Sequence, residues 1–364
     1  MTTLMQASRQ WATRPTEERF ESLTDLHEHM LGLRRRSRST VVSSRRLRVV
    51  PDETDAVNGL AVVGPQGTPT APTHWAFGQL CTRLNSPAGY LRTLPTPLVA
   101  DCLNWRLQAA GDAEDIGVLV TRDDAGTALR AATGPKYGRI FNSDVTSTLV
   151  ERFGDGVSGD WRVPGEFGKA VTVTKENTTL YGSDRDMFVF LADETNRIEV
   201  PNRRNGQTGS MARGFFVWNS EVGAATLGIA FFLFDYVCCN RIVWGATDYL
   251  EKRIRHTVSA PDRWAEVAIP MIEEYQRQSI GPVAAAVKAA QATKVDKVAE
   301  FLATRFGPQL AKAIAARHEE EEGRPIETLF DTITGATAAA RSMPYQADRV
   351  NLERQAGRLL DLAA

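Results

Sequence analysis

Short runs rich in Val, Thr and other apolar or β-branched residues recur over the first two thirds of the chain, and such runs are typical of strands. Residues 40–50 predict one strand, and residues 59–63 predict its partner across a polar turn. Residues 116–121 and 128–133 predict a β-hairpin, because the Asp-Asp-Ala-Gly sequence between them favours a tight turn. Further strands are predicted within residues 161–200, and the apolar residues 213–218 and 226–244 fit central strands or a buried mixed element.

Helical spacing of apolar residues interrupts these strands. Thr73 is a predicted N-cap, since it precedes apolar residues spaced four apart between residues 76 and 84. A second helix is predicted from Pro97 to about residue 111, with proline in the first turn. A third helix is predicted to be capped by Asn142 or Ser143 and to end at Phe153, and residues 247–255 also have a helical pattern.

The composition changes after Pro261, where alanine-rich helical patterns begin and continue to the end. The sequence therefore predicts an α+β fold, a mostly antiparallel sheet packed with helices, followed by an α-helical C-terminal region. We divide the chain into an N-terminal helical and basic arm (1–39), an α+β core (40–260) and a helical region (261–364). Helices are predicted in that last region within 284–290, 295–306, 311–322 and 350–360.

The overall charge is close to neutral. The 364 residues include 43 Lys and Arg against 44 Asp and Glu, giving a formal net charge of -1. Any surface that binds nucleic acid must therefore arise from local clustering of basic residues.

The N-terminus has no apolar signal-peptide core, and the most apolar stretch, 224–244, is interrupted by Asp235, Asn240 and Arg241. The sequence thus predicts a cytoplasmic protein without a membrane partner. None of the four cysteines forms a CxxC pair, and the five histidines have no metal-ligand spacing, so neither a metal nor a cofactor is predicted.

Three separated blocks of sequence occur in an order that is similar to a known family. They are residues 72–95, residues 134–145, and residues 219–245 followed by Arg-Ile-Arg-His-Thr at 253–257. Together they resemble domain-of-unknown-function family 932, the phage/plasmid-like proteins of prophages, plasmids and bacteriophages. The resemblance spans about residues 40–260 and implies a setting in which mobile elements replicate and recombine their DNA. The coarse order of strands and helices also suggests a kinship with single-strand annealing proteins.

Two basic groups in the first part of the predicted α+β region (40–260) could contact phosphates. Arg46 and Arg48 are two residues apart, so on one strand they would share a face; the alternative is a solvated edge strand protected by charge. Lys136 and Arg139 could hold a nucleic-acid backbone while Tyr137 stacks on a base; the alternative is ordinary core packing around a helix cap.

Two further groups lie later in the chain. Arg203 and Arg204 lie in the polar, glycine-containing loop 201–210, and Arg213 follows it; this loop could approach phosphates closely, or it could be a mobile surface loop. Arg253, Arg255 and His256 lie at the C-terminal end of a predicted helix, where the helix dipole favours cations regardless of function. We predict that the four groups form a nucleic-acid-binding surface, with DNA favoured over RNA.

Two other functions compete with this prediction. Asp184 and Asp186 could share a strand face and bind a divalent ion, as a metal-dependent nuclease requires, although solvated loop carboxylates are the simpler interpretation. The helical tail could instead dock a partner protein or a second copy of the chain, forming a homo-oligomer. We predict a non-catalytic protein that binds single-stranded or duplex nucleic acid, with single-strand binding or annealing in replication or recombination as one role, and we assign no catalytic or metal-ligating residue.

Overall fold

A computed structural model gives the fold, and it describes residues 14–52, 59–109, 114–124, 126–164, 172–203, 206–235, 240–242, 251–343 and 346–363. The strands are β1 (Arg19–Phe20), β2 (Ser37–Ser43), β3 (Arg48–Pro51), β4 (Leu60–Val63), β5 (Pro69–Pro72), β6 (Asp115–Asp123), β7 (Gly126–Thr133), β8 (Trp161–Arg162), β9 (Leu180–Gly182), β10 (Met187–Asp193), β11 (Ile198–Val200), β12 (Gly209–Asn219), β13 (Leu227–Asp235), β14 (Asn240–Ile242) and β15 (Glu251–Ile254).

The helices of the described residues divide between the sheet region and the C-terminal region. They are α1 (Leu23–Arg35), α2 (His74–Arg83), α3 (Ala88–Leu91), α4 (Thr96–Ala109), α5 (Asn142–Phe153), α6 (Ala260–Arg277), α7 (Gly281–Ala292), α8 (Val298–Phe306), α9 (Pro308–Glu322), α10 (Leu329–Arg341) and α11 (Gln346–Gly357). The predicted α+β class is confirmed, with antiparallel and mixed sheets followed by helices.

The small sheet contains six strands in the order β2-β6-β7-β5-β4-β3, and only β5 and β7 run parallel. Its edge strands β2 and β3 are joined through a single 3-10 turn at Ser44–Arg46. In a flat sheet these edges would lie about 24 Å apart, whereas five residues span at most about 18 Å. The small sheet must therefore curl until its two edges approach each other.

The large sheet contains β1 and β8–β15, with β10, β12 and β13 at its centre. One face carries Val189, Phe215 and Phe231, which pack with helices α1, α5 and α6. Alternate residues such as Phe188 and Phe232 form a buried aromatic cluster on the other face. The alternation follows from the two-residue period of a strand.

The C-terminal helices form a separate core that includes Val200, Met211 and Leu233 of the large sheet. Helix α6 begins at the predicted boundary near residue 260, but its Trp264 packs in the sheet core with α1 and α5. The composition change therefore coincides with the start of helical structure, while the division into domains stays a prediction.

Two predicted elements differ from the structure. Residues 40–50 are not one strand: β2 ends at Ser43, and the 3-10 turn places the next residues on the opposite sheet edge. Residues 251–254 form strand β15, which pairs with β13, rather than the C-terminal end of a helix. Ile254 pairs with Leu227, and its side chain packs against the sheet core. The hydrophobic period of so short a segment cannot distinguish such a strand from the end of a helix.

Candidate nucleic-acid-binding groove

The structure joins two of the four predicted basic groups at Gly138 and His256. The Gly138 amide donates to the His256 carbonyl oxygen at 3.1 Å, and His256 Nδ1 lies 3.1 Å from the Gly138 carbonyl oxygen. A Cβ atom at position 138 would lie 1.7 Å from the Thr257 carbonyl oxygen, so only glycine permits this approach. The segment after β7 and the segment after β15 are thereby held together.

Tyr137 and His256 stack at this junction. Their ring centroids are 4.8 Å apart with an interplanar angle of 14°, and the Tyr137 hydroxyl donates to the Ser220 carbonyl oxygen at 3.1 Å. The Arg139 guanidinium also lies 5.2 Å from the Tyr137 ring centroid. Because His256 and Arg139 already contact its ring, Tyr137 is a structural residue of this junction. The predicted stacking of Tyr137 on a base is not supported.

Burial determines the charge of the histidine. It lowers the pKa of His256 to about 4, and the nearby Arg139 guanidinium acts in the same direction. His256 is therefore neutral at physiological pH, and any positive charge at this junction comes from arginine.

Two depressions meet across Tyr137 and Gly223, and we call them together the groove. The first has a volume of about 540 Å³ and is lined also by Arg253, Arg255 and His256. The second has a volume of about 650 Å³. Both arginines of the first depression are exposed at its rim.

The second depression lies against helix α2, and its basic residues are His74, Arg83 and Arg92. Arg92 is exposed and donates to the His74 carbonyl oxygen at 2.9 Å, while Arg83 pairs with Glu114 at 2.8 Å. Among the described residues that line either depression, none is Asp or Glu. The groove is therefore a local positive surface on a nearly neutral chain.

The ridge between the depressions is built by the connection from β12 to β13. Gly223 has φ +82°, and its amide donates to the Ser220 carbonyl oxygen at 3.1 Å. The Val222 carbonyl oxygen accepts from Gln79 Nε2 at 2.8 Å and from Trp75 Nε1 at 3.1 Å. These bonds fix the connection, and thus the ridge, to helix α2.

Sequence reasoning did not select Trp75, Gln79, Arg92 or Gly223 as site residues. A signal was present, because all four lie in the blocks that carry the family resemblance. Residues of these types are common in cores and turns. Only their proximity in the folded protein therefore distinguishes these four as candidate site residues.

The other predicted site residues lie outside the groove or are used in packing. Arg46 and Arg48 are exposed beside an edge of the small sheet, and Lys136 is exposed next to Tyr137. Arg139 is buried and donates to the Glu221 carbonyl oxygen. Arg204 lies outside the described residues.

Two arginines of the predicted phosphate-binding loop are buried in ion pairs. Arg203 pairs with Glu322 of α9 at 2.6 Å, and both side chains are almost fully buried. Arg213 lies in the middle of β12 and pairs with Asp193 at 3.0 Å. Neither guanidinium can reach a phosphate without unfolding its surroundings, so the four predicted groups do not form one continuous surface.

Of the two carboxylates considered for a nuclease, that of Asp186 is engaged in an ion pair. Asp186 pairs with Arg14 at 2.7 Å, whereas the Asp184 side chain is exposed and its backbone carbonyl oxygen accepts from Arg130 Nε at 3.1 Å. Within the described part of the chain, no group of three or more His, Cys, Asp or Glu residues is placed to hold a metal ion.

No family model, curated protein or solved structure matches the chain. The resemblance to family 932 therefore stays a prediction. No helix among the described residues is long and apolar enough to cross a membrane.

Proposed function

We propose that the groove binds the backbone of single-stranded nucleic acid. The observation that carries this proposal is the meeting of two depressions, with arginines from distant parts of the chain and no carboxylate among their described lining residues. Arginine forks are well suited to phosphate oxygens, through charge-assisted hydrogen bonds.

The shape favours an extended strand over a compact ligand. The two depressions share Tyr137 and Gly223 in their linings, and Arg92 lines one of them while Arg255 lines the other. A flexible single strand can follow such a path, whereas a rigid duplex would contact only the rim.

Recognition in this proposal depends little on base identity. The Tyr137 ring is occupied by His256, and the indole of Trp75 is covered by the Arg185 guanidinium at 4.3 Å. Binding would then come mainly from phosphate contacts, which carry no sequence information. The preference for DNA remains a prediction from the family resemblance.

Titration of a fluorescein-labelled oligothymidylate of about 16 nucleotides, followed by fluorescence anisotropy, tests the proposal. We expect the double variant Arg92→Gln/Arg255→Gln to bind at least about tenfold more weakly. Glutamine keeps much of the side-chain length and its ability to donate hydrogen bonds, so local packing is retained.

The matched control is Arg263→Gln/Arg277→Gln, which removes two positive charges from exposed surface pairs of α6. Between about 50 and 200 mM KCl, each phosphate contact contributes about 0.7 to the salt slope of single-strand binding. The groove variant should therefore lose about 1.4 from this slope, whereas the control should keep it. Equal affinity and slope in the two double variants would overturn the proposal.

A further inference from the structure

A second cavity lies on the inner face of the curled small sheet. Its volume is about 350 Å³, and it shares no lining residue with the groove. Binding of a ligand in this cavity would therefore be independent of nucleic acid in the groove.

The register of the small sheet explains the apolar floor of this cavity. Arg38 pairs with Val120 and Thr40 pairs with Val118, so these four side chains share one face. Helices α2 and α4 cover part of that face with the apolar core. The floor continues past the helices as Val42, Leu47, Val62, Val118, Val120 and Leu129.

Three arginines, Arg36, Arg38 and Arg122, stand at the rim of this apolar cavity. The Arg122 amide donates to the Arg36 carbonyl oxygen at 3.0 Å, which places these two residues side by side. All three side chains are exposed, and within the described residues none makes an ion pair. No Asp or Glu is found among the described residues of the lining.

Charge and shape together specify a ligand class. Three neighbouring cations repel one another, and an anion placed between them relieves this repulsion. The floor removes apolar surface from water, while the hydroxyls of Thr40, Thr70 and Thr127 offer further hydrogen bonds. The volume lies at the small end of the range of about 300–1,000 Å³ found for ligand pockets.

We propose that this cavity binds a small organic anion, with its acidic group on Arg36, Arg38 and Arg122 and its apolar body on the valine and leucine floor. Phosphate, sulfonate and carboxylate groups share the chemistry that these guanidinium groups recognise. The length of the apolar body is limited by the cavity.

Fluorescence titration with anilinonaphthalene sulfonate, compared with uncharged N-phenylnaphthylamine, tests this inference on the full chain. We expect the wild-type protein to bind the sulfonate at least about tenfold more tightly, because each charge-assisted hydrogen bond favours the anion. The variant Arg38→Gln/Arg122→Gln should lose that preference, while the control Arg263→Gln/Arg277→Gln should retain it. A wild-type protein without the preference, or an arginine variant that keeps it, would overturn the proposal.

A variant that fills the cavity locates the probe. Thr127 is half-buried in the lining, so Thr127→Trp should weaken binding of both probes, with thermal melting followed by circular dichroism to verify folding. Unchanged binding in a folded Thr127→Trp variant would place the probes elsewhere and reject this cavity. Displacement of the sulfonate by decyl phosphate, by decanoate or by both identifies the acidic group, and displacement by neither contradicts the proposal.

Discussion

The imidazole of His256 lies parallel to the phenol ring of Tyr137, with their centroids 4.8 Å apart. The two residues come from segments that follow strands of different sheets, β7 of the small sheet and β15 of the large sheet. Their stacking, together with the hydrogen bonds of Gly138, therefore fixes one sheet against the other at the centre of the groove.

We expect Gly138→Ala to destabilise the protein by about 3 kcal/mol, because the new Cβ atom would overlap the Thr257 carbonyl oxygen and force backbone movement. Urea unfolding followed by circular dichroism measures the change. Gly32→Ala is the control, since Gly32 lies within α1 with open space around it. That substitution should be neutral or stabilising by up to about 1 kcal/mol. Equal stabilities of the two variants would contradict the close approach at Gly138.

The local sequence was sufficient to predict elements that are stabilised by short-range interactions. Thr73 caps α2 as predicted, with its Oγ accepting from the Ala76 amide at 3.1 Å. The hairpin of β6 and β7 was also predicted correctly, and so was a helix ending at Phe153, although Phe141 is its N-cap and the predicted cap at Asn142 or Ser143 is wrong. Caps and tight turns depend on residues only a few positions apart, so they can be predicted from the local sequence.

Most wrong predictions concern elements or side chains whose structure depends on partners far away in the sequence. Strand β15 depends on pairing with β13, and the burial of Arg213 depends on Asp193. Helix α10 is an exception, because its missed start carries a local signal, the capping box of Thr328 and Asp331. Clusters of arginine predict a surface only when their partners are known, and these partners lie far away in sequence.

The lowered pKa of His256 leads to a pH dependence of stability. Burial holds this pKa at about 4 in the folded state, against 6.5 for the unconstrained group, so the unfolded chain binds the extra proton first. The contribution of His256 to the free energy of unfolding should be fully present above about pH 6.5. It should be lost progressively between pH 6.5 and 4, at a cost of at most about 3 kcal/mol.

Unfolding free energies of the wild type and His256→Gln, measured across this pH range, test that expectation. The pKa values of His29 and His318 are also lowered by burial and contribute in the same direction, so only the difference between the two proteins reports on His256. The variant should lose less stability on acidification. Parallel curves for the two proteins would show that His256 takes up a proton equally in the folded and unfolded states.

The buried pair of Arg203 and Glu322 should matter for stability and not for nucleic-acid binding. Arg203→Met leaves the Glu322 carboxylate buried without its 2.6 Å partner, which should cost about 3–5 kcal/mol. Adding Glu322→Leu removes the buried charge and should recover most of this loss. Urea unfolding gives the stabilities, and anisotropy at a temperature where all variants are folded gives the affinities. A folded Arg203→Met protein with much weaker oligonucleotide binding would instead support the phosphate-binding loop.

A side chain at Gly223 should destabilise the protein and weaken binding in the groove. An alanine Cβ atom there would lie 3.3 Å from Gln79 Nε2 and 3.5 Å from the Tyr137 hydroxyl oxygen, on a backbone with φ +82°. We expect Gly223→Ala to cost about 1–2 kcal/mol of stability and to weaken oligonucleotide binding several-fold, because the depressions meet at this residue. Gly67→Ala is the matched control, since Gly67 has φ +74° with open space and lies outside the groove. The control should show the backbone strain alone, with unchanged affinity in the same anisotropy titration. If Gly223→Ala and Gly67→Ala bind the oligonucleotide equally well, a strand does not pass across Gly223, and the two depressions do not act as one site.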